Sequence, residues 1–141
     1  VAQREHLLAQ GTCLIVSLAE VIAGWEQKPF QRGSTDCCAF CDYVLKELTG
    51  ESCLPNYNSD ESAESIVADH GSLENAVSYY MGSGPIPATQ LKPGDIALLE
   101  IMGHESIGIL MPTDTVAVVF EYGGLREVRS DFIEGGWAVG R

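Results

Sequence analysis

The chain is short of positive charge. Eight lysines and arginines stand against twenty aspartates and glutamates, a net charge of −12. A surface of that sign repels phosphate backbones and anionic headgroups, which argues against direct binding to nucleic acid or to acidic membrane surfaces. It suits a chain that docks on a basic partner surface. The sequence also lacks an apolar run long enough to span a bilayer. Its most apolar stretch, residues 13–23, is too short and carries Ser17 and Glu20. No basic leader precedes that stretch and no convincing small-residue cleavage site follows it, so no signal peptide is expected. There are no internal repeats and no low-complexity tracts. The five cysteines (Cys13, Cys37, Cys38, Cys41 and Cys53) are odd in number and irregular in spacing, a poor disulfide framework that points to folding in a reducing compartment. The Cys38-x-x-Cys41 pair has metal-ligand spacing, but its remaining ligands would have to come singly from Cys13 and Cys53. No metal and no other cofactor is therefore expected.

At 141 residues, 45% hydrophobic and 20% charged, the sequence describes one globular domain, 1–141, with room for a core that needs no staples. Its two parts differ in character. Residues 1–90 read as mainly helical. A long first helix runs from about Arg4 to about Trp25, and its apolar residues Leu14, Ile15, Val16 and Leu18 are more than one buried face requires, so an outer face could meet a partner. A second helix begins at Cys37 and stops at Gly50. Ser59 or Asp60 caps a third that Gly71 ends, and Ser72 caps a fourth over 73–81 that Gly82 ends. Residues 91–141 read as mainly strands, at 95–101, 105–111, 115–121, 125–129 and 137–139, with a helical turn at 130–134. Helices first and an antiparallel sheet of about five strands second make an α+β layout. Phe40, Val44, Leu45 and Leu48 of the second helix are expected to pack on Ile96, Leu98, Ile107 and Ile109.

The start of that second helix carries the chemistry. Ser34, Thr35 and Asp36 are helix-capping types, Gly33 permits a tight entry, and Cys37 follows as the first apolar-periodic residue. Unpaired N–H groups and the helix dipole favour a thiolate there, and the thiolate is the attacking form of a cysteine nucleophile. The plainer alternative is that Cys37, Cys38 and Cys41 are core residues beside Phe40, a reading that suits Cys41 best. A base for Cys37 must come from the histidines. His6 lies in the first helix, and His70 sits at a helix end where the dipole favours an imidazolium. His104, at the start of a strand, is the best candidate by position.

The ordered set Pro29-Phe30, Gly33, Asp36-Cys37, then Leu91-Lys92-Pro93-Gly94-Asp95-Ile96, then Ser106-Ile107-Gly108-Ile109, resembles the NlpC-type cell-wall cysteine peptidases. In more detail, Asp36-Cys37-Cys38 with Trp25 ahead and Gly124-Leu125 and Trp137 behind resembles the phage-encoded branch of that family. The resemblance covers nearly everything after Trp25. It implies a papain-like fold, Cys37 as nucleophile with Asp36 as its motif partner and helix cap, and peptidoglycan stem peptides as substrate. It also implies a place among phage or gene-transfer-agent tail genes, with other tail-tip proteins (hub or central fibre) as partners. The chain would then reside in the virion tail, and in the host cytoplasm during assembly.

The sequence departs from the family where the base should be. Ser106 occupies the family's His position, and a hydroxyl cannot take a proton from a thiol at neutral pH. His104 lies two residues earlier, roughly 7 Å along a strand, whereas a base works within about 3 Å of its nucleophile. It could act only as a displaced base, through a bulge at Gly103 or a shifted register. The next strand, Val116-Ala117-Val118-Val119-Phe120, offers no polar residue to orient an imidazole. Two expectations follow: a tail-tip component that keeps the peptidase fold with a degenerate or weak site, or an active peptidase or amidase opening the cell wall during genome delivery. A cysteine-rich metal or redox module is a distant third.

Overall fold

In the computed structural model the described residues are 11–25, 37–52, 54, 60–101, 103–120 and 124–139, with side chains taken from Leu18 onward in the first helix and from Ser62 onward in the third. Among these residues four α-helices come first, α1 (Gly11–Trp25), α2 (Cys37–Thr49), α3 (Asp60–His70) and α4 (Leu73–Met81). Five strands follow: β1 (Ile96–Ile101), β2 (His104–Leu110), β3 (Thr115–Phe120), β4 (Gly124–Arg129) and β5 (Ile133–Trp137). They form one antiparallel sheet in the order β4-β3-β2-β1-β5. The architecture is α+β, helices first and sheet second. No helix among the described residues is long and apolar enough to cross a membrane.

Helix ends follow the local chemistry. Ser72 is extended, and its hydroxyl accepts from the Asn75 N–H at 3.1 Å, satisfying one of the donors that a helix start leaves unpaired. At the other end of α4, Gly82 adopts φ 78°, and its N–H reaches the carbonyls of Ser78 and Tyr79. That left-handed cap disfavours any residue with a Cβ.

The sheet has two apolar faces. On one, Ile96, Leu98, Ile107, Ile109, Ala117 and Val119 pack against Phe40, Cys41, Val44, Leu45 and Leu48 of α2, with Leu18, Ile22 and Trp25 of α1 behind them. Trp25 lies edge-on to Phe40, ring centroids 5.3 Å apart, and tilted against Tyr43 at 5.2 Å. On the other face, Ala97, Leu99, Leu110, Val116 and Val118 gather with Leu91. This division fixes where each residue of β2 points.

The turn into the sheet is built by Asp95, which is 1% exposed. One carboxylate oxygen accepts from the Lys92 N–H at 2.8 Å and the other from the Val139 N–H at 3.0 Å. Gly94, at φ 96°, lets the chain reverse between them. The Asp95 side chain thus ties the start of β1 to the segment after β5.

The last strand is displaced from its expected place. It spans Ile133–Trp137 rather than 137–139, and the helical turn expected over 130–134 is a single 3₁₀ turn, Ser130–Phe132. The Gly135-Gly136 pair hides the strand from a propensity argument, since glycine weakens strands. Here it permits close approach. A Cβ on Gly136 would stand 2.1 Å from the Ile96 carbonyl oxygen, and Gly136 also exchanges backbone bonds of 2.7 and 3.0 Å with Ile86. After Trp137 the backbone turns to Asp95 instead of pairing. Strand β2 also starts one residue early, at His104, because His104 pairs with Ile101. Residues 4–10 of the expected first helix lie outside the described residues.

Candidate functional site

Cys37 is the first residue of α2 and is half-buried, as is Cys38, while Cys41 is buried in the core one turn on. None of the three is in a disulfide. Cys13 (as a side chain), Cys53, His6, Pro29-Phe30 and Asp36 lie outside what the structure describes, so the cap at the α2 start falls there.

Cys37 and Cys38 line a cleft of about 520 Å³ between the start of α2, the α3–α4 pair and the start of β2. Ile66, Val67, Ala76, Val77 and Tyr80 form its helical wall, and Leu54 another side. Leu54 is held by α2 itself, since its N–H donates to the Asp42 carboxylate at 3.1 Å. His104 and Glu105 complete the cleft from β2, and Glu64 joins from α3. A concave, mainly apolar space with a few converging polar groups is the usual form of a small-molecule site.

Strand alternation sorts the β2 residues. Ile107 pairs with Leu98, and both belong to the face that α2 covers. Ser106 pairs with Leu99 and His104 with Ile101, and these partners belong to the opposite cluster. Directly paired residues share a face and successive residues alternate. Ser106 therefore lies on the face turned away from Cys37. His104 shares that side but, as the exposed first residue of the strand, also lines the cleft. Glu105 alternates with Ile107 and Ile109 onto the face of α2. Its Oε1 accepts from the N–H of Leu73, the first residue of α4, at 3.0 Å. Strand β3 puts only apolar residues, Val116 to Val119, beside this region.

The remaining marked residues are structural. His70, at the α3 end, packs on Tyr79 with ring centroids 4.7 Å apart and on Tyr80 at 5.8 Å, and so backs the cleft wall. Trp137 donates from Nε1 to the Ser78 hydroxyl at 3.1 Å, pinning β5 to α4. Beside the cleft, Glu134 has its carboxyl held above the ordinary value. Local loss of solvent is the first cause, followed by repulsion from Glu100, a hydrogen bond with it, and the charges of Glu105 and Glu74. Among the described residues no group of three His, Cys, Asp or Glu side chains could hold a metal ion.

Glu105, Leu54 and Tyr80 were not singled out by motif reasoning. Glu105 carries a signal in hindsight, since it alternates with Ile107 and Ile109, whose packing against α2 was expected. Leu54 and Tyr80 carry none, because their approach depends on how loop and helices fold back.

An α+β domain with a thiol at a helix start, opening on an apolar cleft, is the class these features define. The chain belongs to the family described as a domain of unknown function (DUF6950), which it matches over residues 15–139. No curated protein matches it.

Proposed function

We propose that this domain is a papain-like, NlpC-type module of a phage or gene-transfer-agent tail tip, with a thiol site that is degenerate or weak. The ordered motifs around Asp36-Cys37-Cys38, Pro93-Gly94-Asp95 and Ser106-Ile107-Gly108-Ile109 support the kinship and, through it, the tail-tip setting. Its partners would be hub or central fibre proteins, and its residence the virion tail after assembly in the host cytoplasm. The single observation that carries the weak-site reading is the pairing of Ser106 with Leu99. The residue in the family's His position is not a base, and its face is turned from Cys37. Loss of a general base typically costs about 10²–10⁴-fold in rate.

A second reading, an active peptidoglycan endopeptidase or amidase, is favoured by one observation: Cys37 and His104 line the same cleft. In that reading Cys37 is the nucleophile and His104 the displaced base. Hydrolysis of stem peptides by the purified chain separates the two. The weak-site reading expects turnover near background, unchanged in Cys37→Ala and His104→Ala. It also expects no gain in Ser106→His, because an imidazole there would start from the wrong face. Robust turnover lost in both Cys37→Ala and His104→Ala would establish the second reading.

A further inference from the structure

We propose that the Cys37 cleft binds organic ammonium ions, molecules with an apolar body and a positively charged amine, and that Glu105 holds the amine. This rests on the reading of the cleft as the domain's site and adds the chemical class it accepts. The cavity, about 520 Å³, is large enough for a small organic molecule. Leu54, Val67, Val77 and Tyr80 offer an apolar bed for the ligand body. Glu105 and Glu64 line the cleft, and no lysine or arginine is among its described lining residues. His104, Cys37 and Cys38 also line the cleft, but its carboxylates outnumber any basic group there.

Glu105 is exposed at the cleft rim, where one hydrogen bond holds its carboxylate. Alternation with Ile107 and Ile109 sets it on the side of α2, and the Leu73 N–H fixes Oε1 from the start of α4. Glu100, its cross-strand partner, adds negative charge beside it, and Glu74 and Glu134 add more nearby. A cleft with apolar walls concentrates such a field on an entering cation. A carboxylate is too weak a base for a thiol, so recognition is the role its chemistry fits.

The test is a titration of the full chain with hexylammonium, 1-hexanol and hexanoate, following backbone amide NMR shifts. Hexylammonium is expected to shift the Cys38, Leu73 and Glu105 amides and to bind about three- to fivefold more tightly than hexanol. Salt should erode that margin. Glu105→Gln keeps an oxygen for the Leu73 N–H, so the fold should hold, yet the preference for hexylammonium should vanish. Equal affinity for hexylammonium and hexanol, preference for hexanoate, shifts mapping elsewhere, or an undiminished preference in Glu105→Gln would each overturn the proposal. The readout is binding. A chain that hydrolyses nothing but prefers hexylammonium keeps the ligand class, and one that hydrolyses peptides without that preference loses it alone.

Discussion

Asp95 is the residue whose removal should cost this fold most for the fewest atoms lost. Its carboxylate is 1% exposed and accepts one N–H on each side, from Lys92 at 2.8 Å and from Val139 at 3.0 Å. A hydrogen bond to a charged acceptor contributes roughly 1.5–3 kcal/mol. Losing two would cost about 3–6 kcal/mol if nothing replaced them. Lys92 is exposed, so water can satisfy its N–H, while Val139 is half-buried and recovers less. Asp95→Ala should therefore destabilise by about 2–4 kcal/mol, a large share of the roughly 5–15 kcal/mol that holds a domain folded. Asp95→Asn keeps the shape, but its amide can accept at only one oxygen and turns a donor toward the other N–H. It should lose at least half as much. Urea denaturation reads this as a midpoint shift of roughly 1–2 M at unchanged slope. Exchange of the Val139 amide hydrogen should quicken in both variants. An Asp95→Ala midpoint within about 0.3 M of the parent would refute the clamp, since experimental error alone spans that much.

Two other perturbations follow from the same geometry. In Gly136→Ala the new Cβ would meet the Ile96 carbonyl at 2.1 Å and Leu91 Cδ1 at 2.9 Å, so β1 and β5 must part. Overpacking of that kind should cost about 3 kcal/mol or more, roughly 10 °C in melting temperature. Gly135→Ala, whose nearest contact would be 3.1 Å from the Ile86 carbonyl, should lose less than half of that in the same thermal scan. Glu134 is the pH-sensitive case. Its carboxyl is raised on folding, so the folded state binds the proton more tightly, and its charged form costs stability once pH rises above that raised value. Glu134→Gln should melt slightly higher than the parent at neutral pH and low salt. The gap should close as pH falls through the carboxylate range and as salt is added.

Much of the scaffold was legible from residue patterns. Ser72 and Gly82 bracket α4 as expected, and Phe40, Val44, Leu45 and Leu48 meet Ile96, Leu98, Ile107 and Ile109. Pro93-Gly94-Asp95 announces the entry to the sheet, although nothing local says that Asp95 also grips Val139, 44 residues away. Strand β5 was misplaced because Gly135 and Gly136 look like breakers until the close approach of Ile96 is known. The candidate site was legible only in part. Cys37 and His104 could be named, and Ile107 and Ile109 were expected against α2, but that expectation was not carried one step further along the strand to Glu105. Ile96-Ala97-Leu98-Leu99 and Val116-Ala117-Val118-Val119 are apolar on both faces, so alternation along these strands does not tell one side from the other. A one-residue change of register would have exchanged the roles of Glu105 and Ser106. Only packing against α2 decides it.

The most direct test of the central claim compares three phage or transfer particles: the parent, Cys37→Ala, and a deletion of the domain, scored for tail assembly and for wall-degrading activity. The account predicts that deletion blocks assembly of the tail tip while Cys37→Ala leaves both assembly and wall-degrading activity unchanged. Cys37→Ala particles that assemble normally but lose a wall-degrading activity present in the parent would contradict it and show that the thiol site is live.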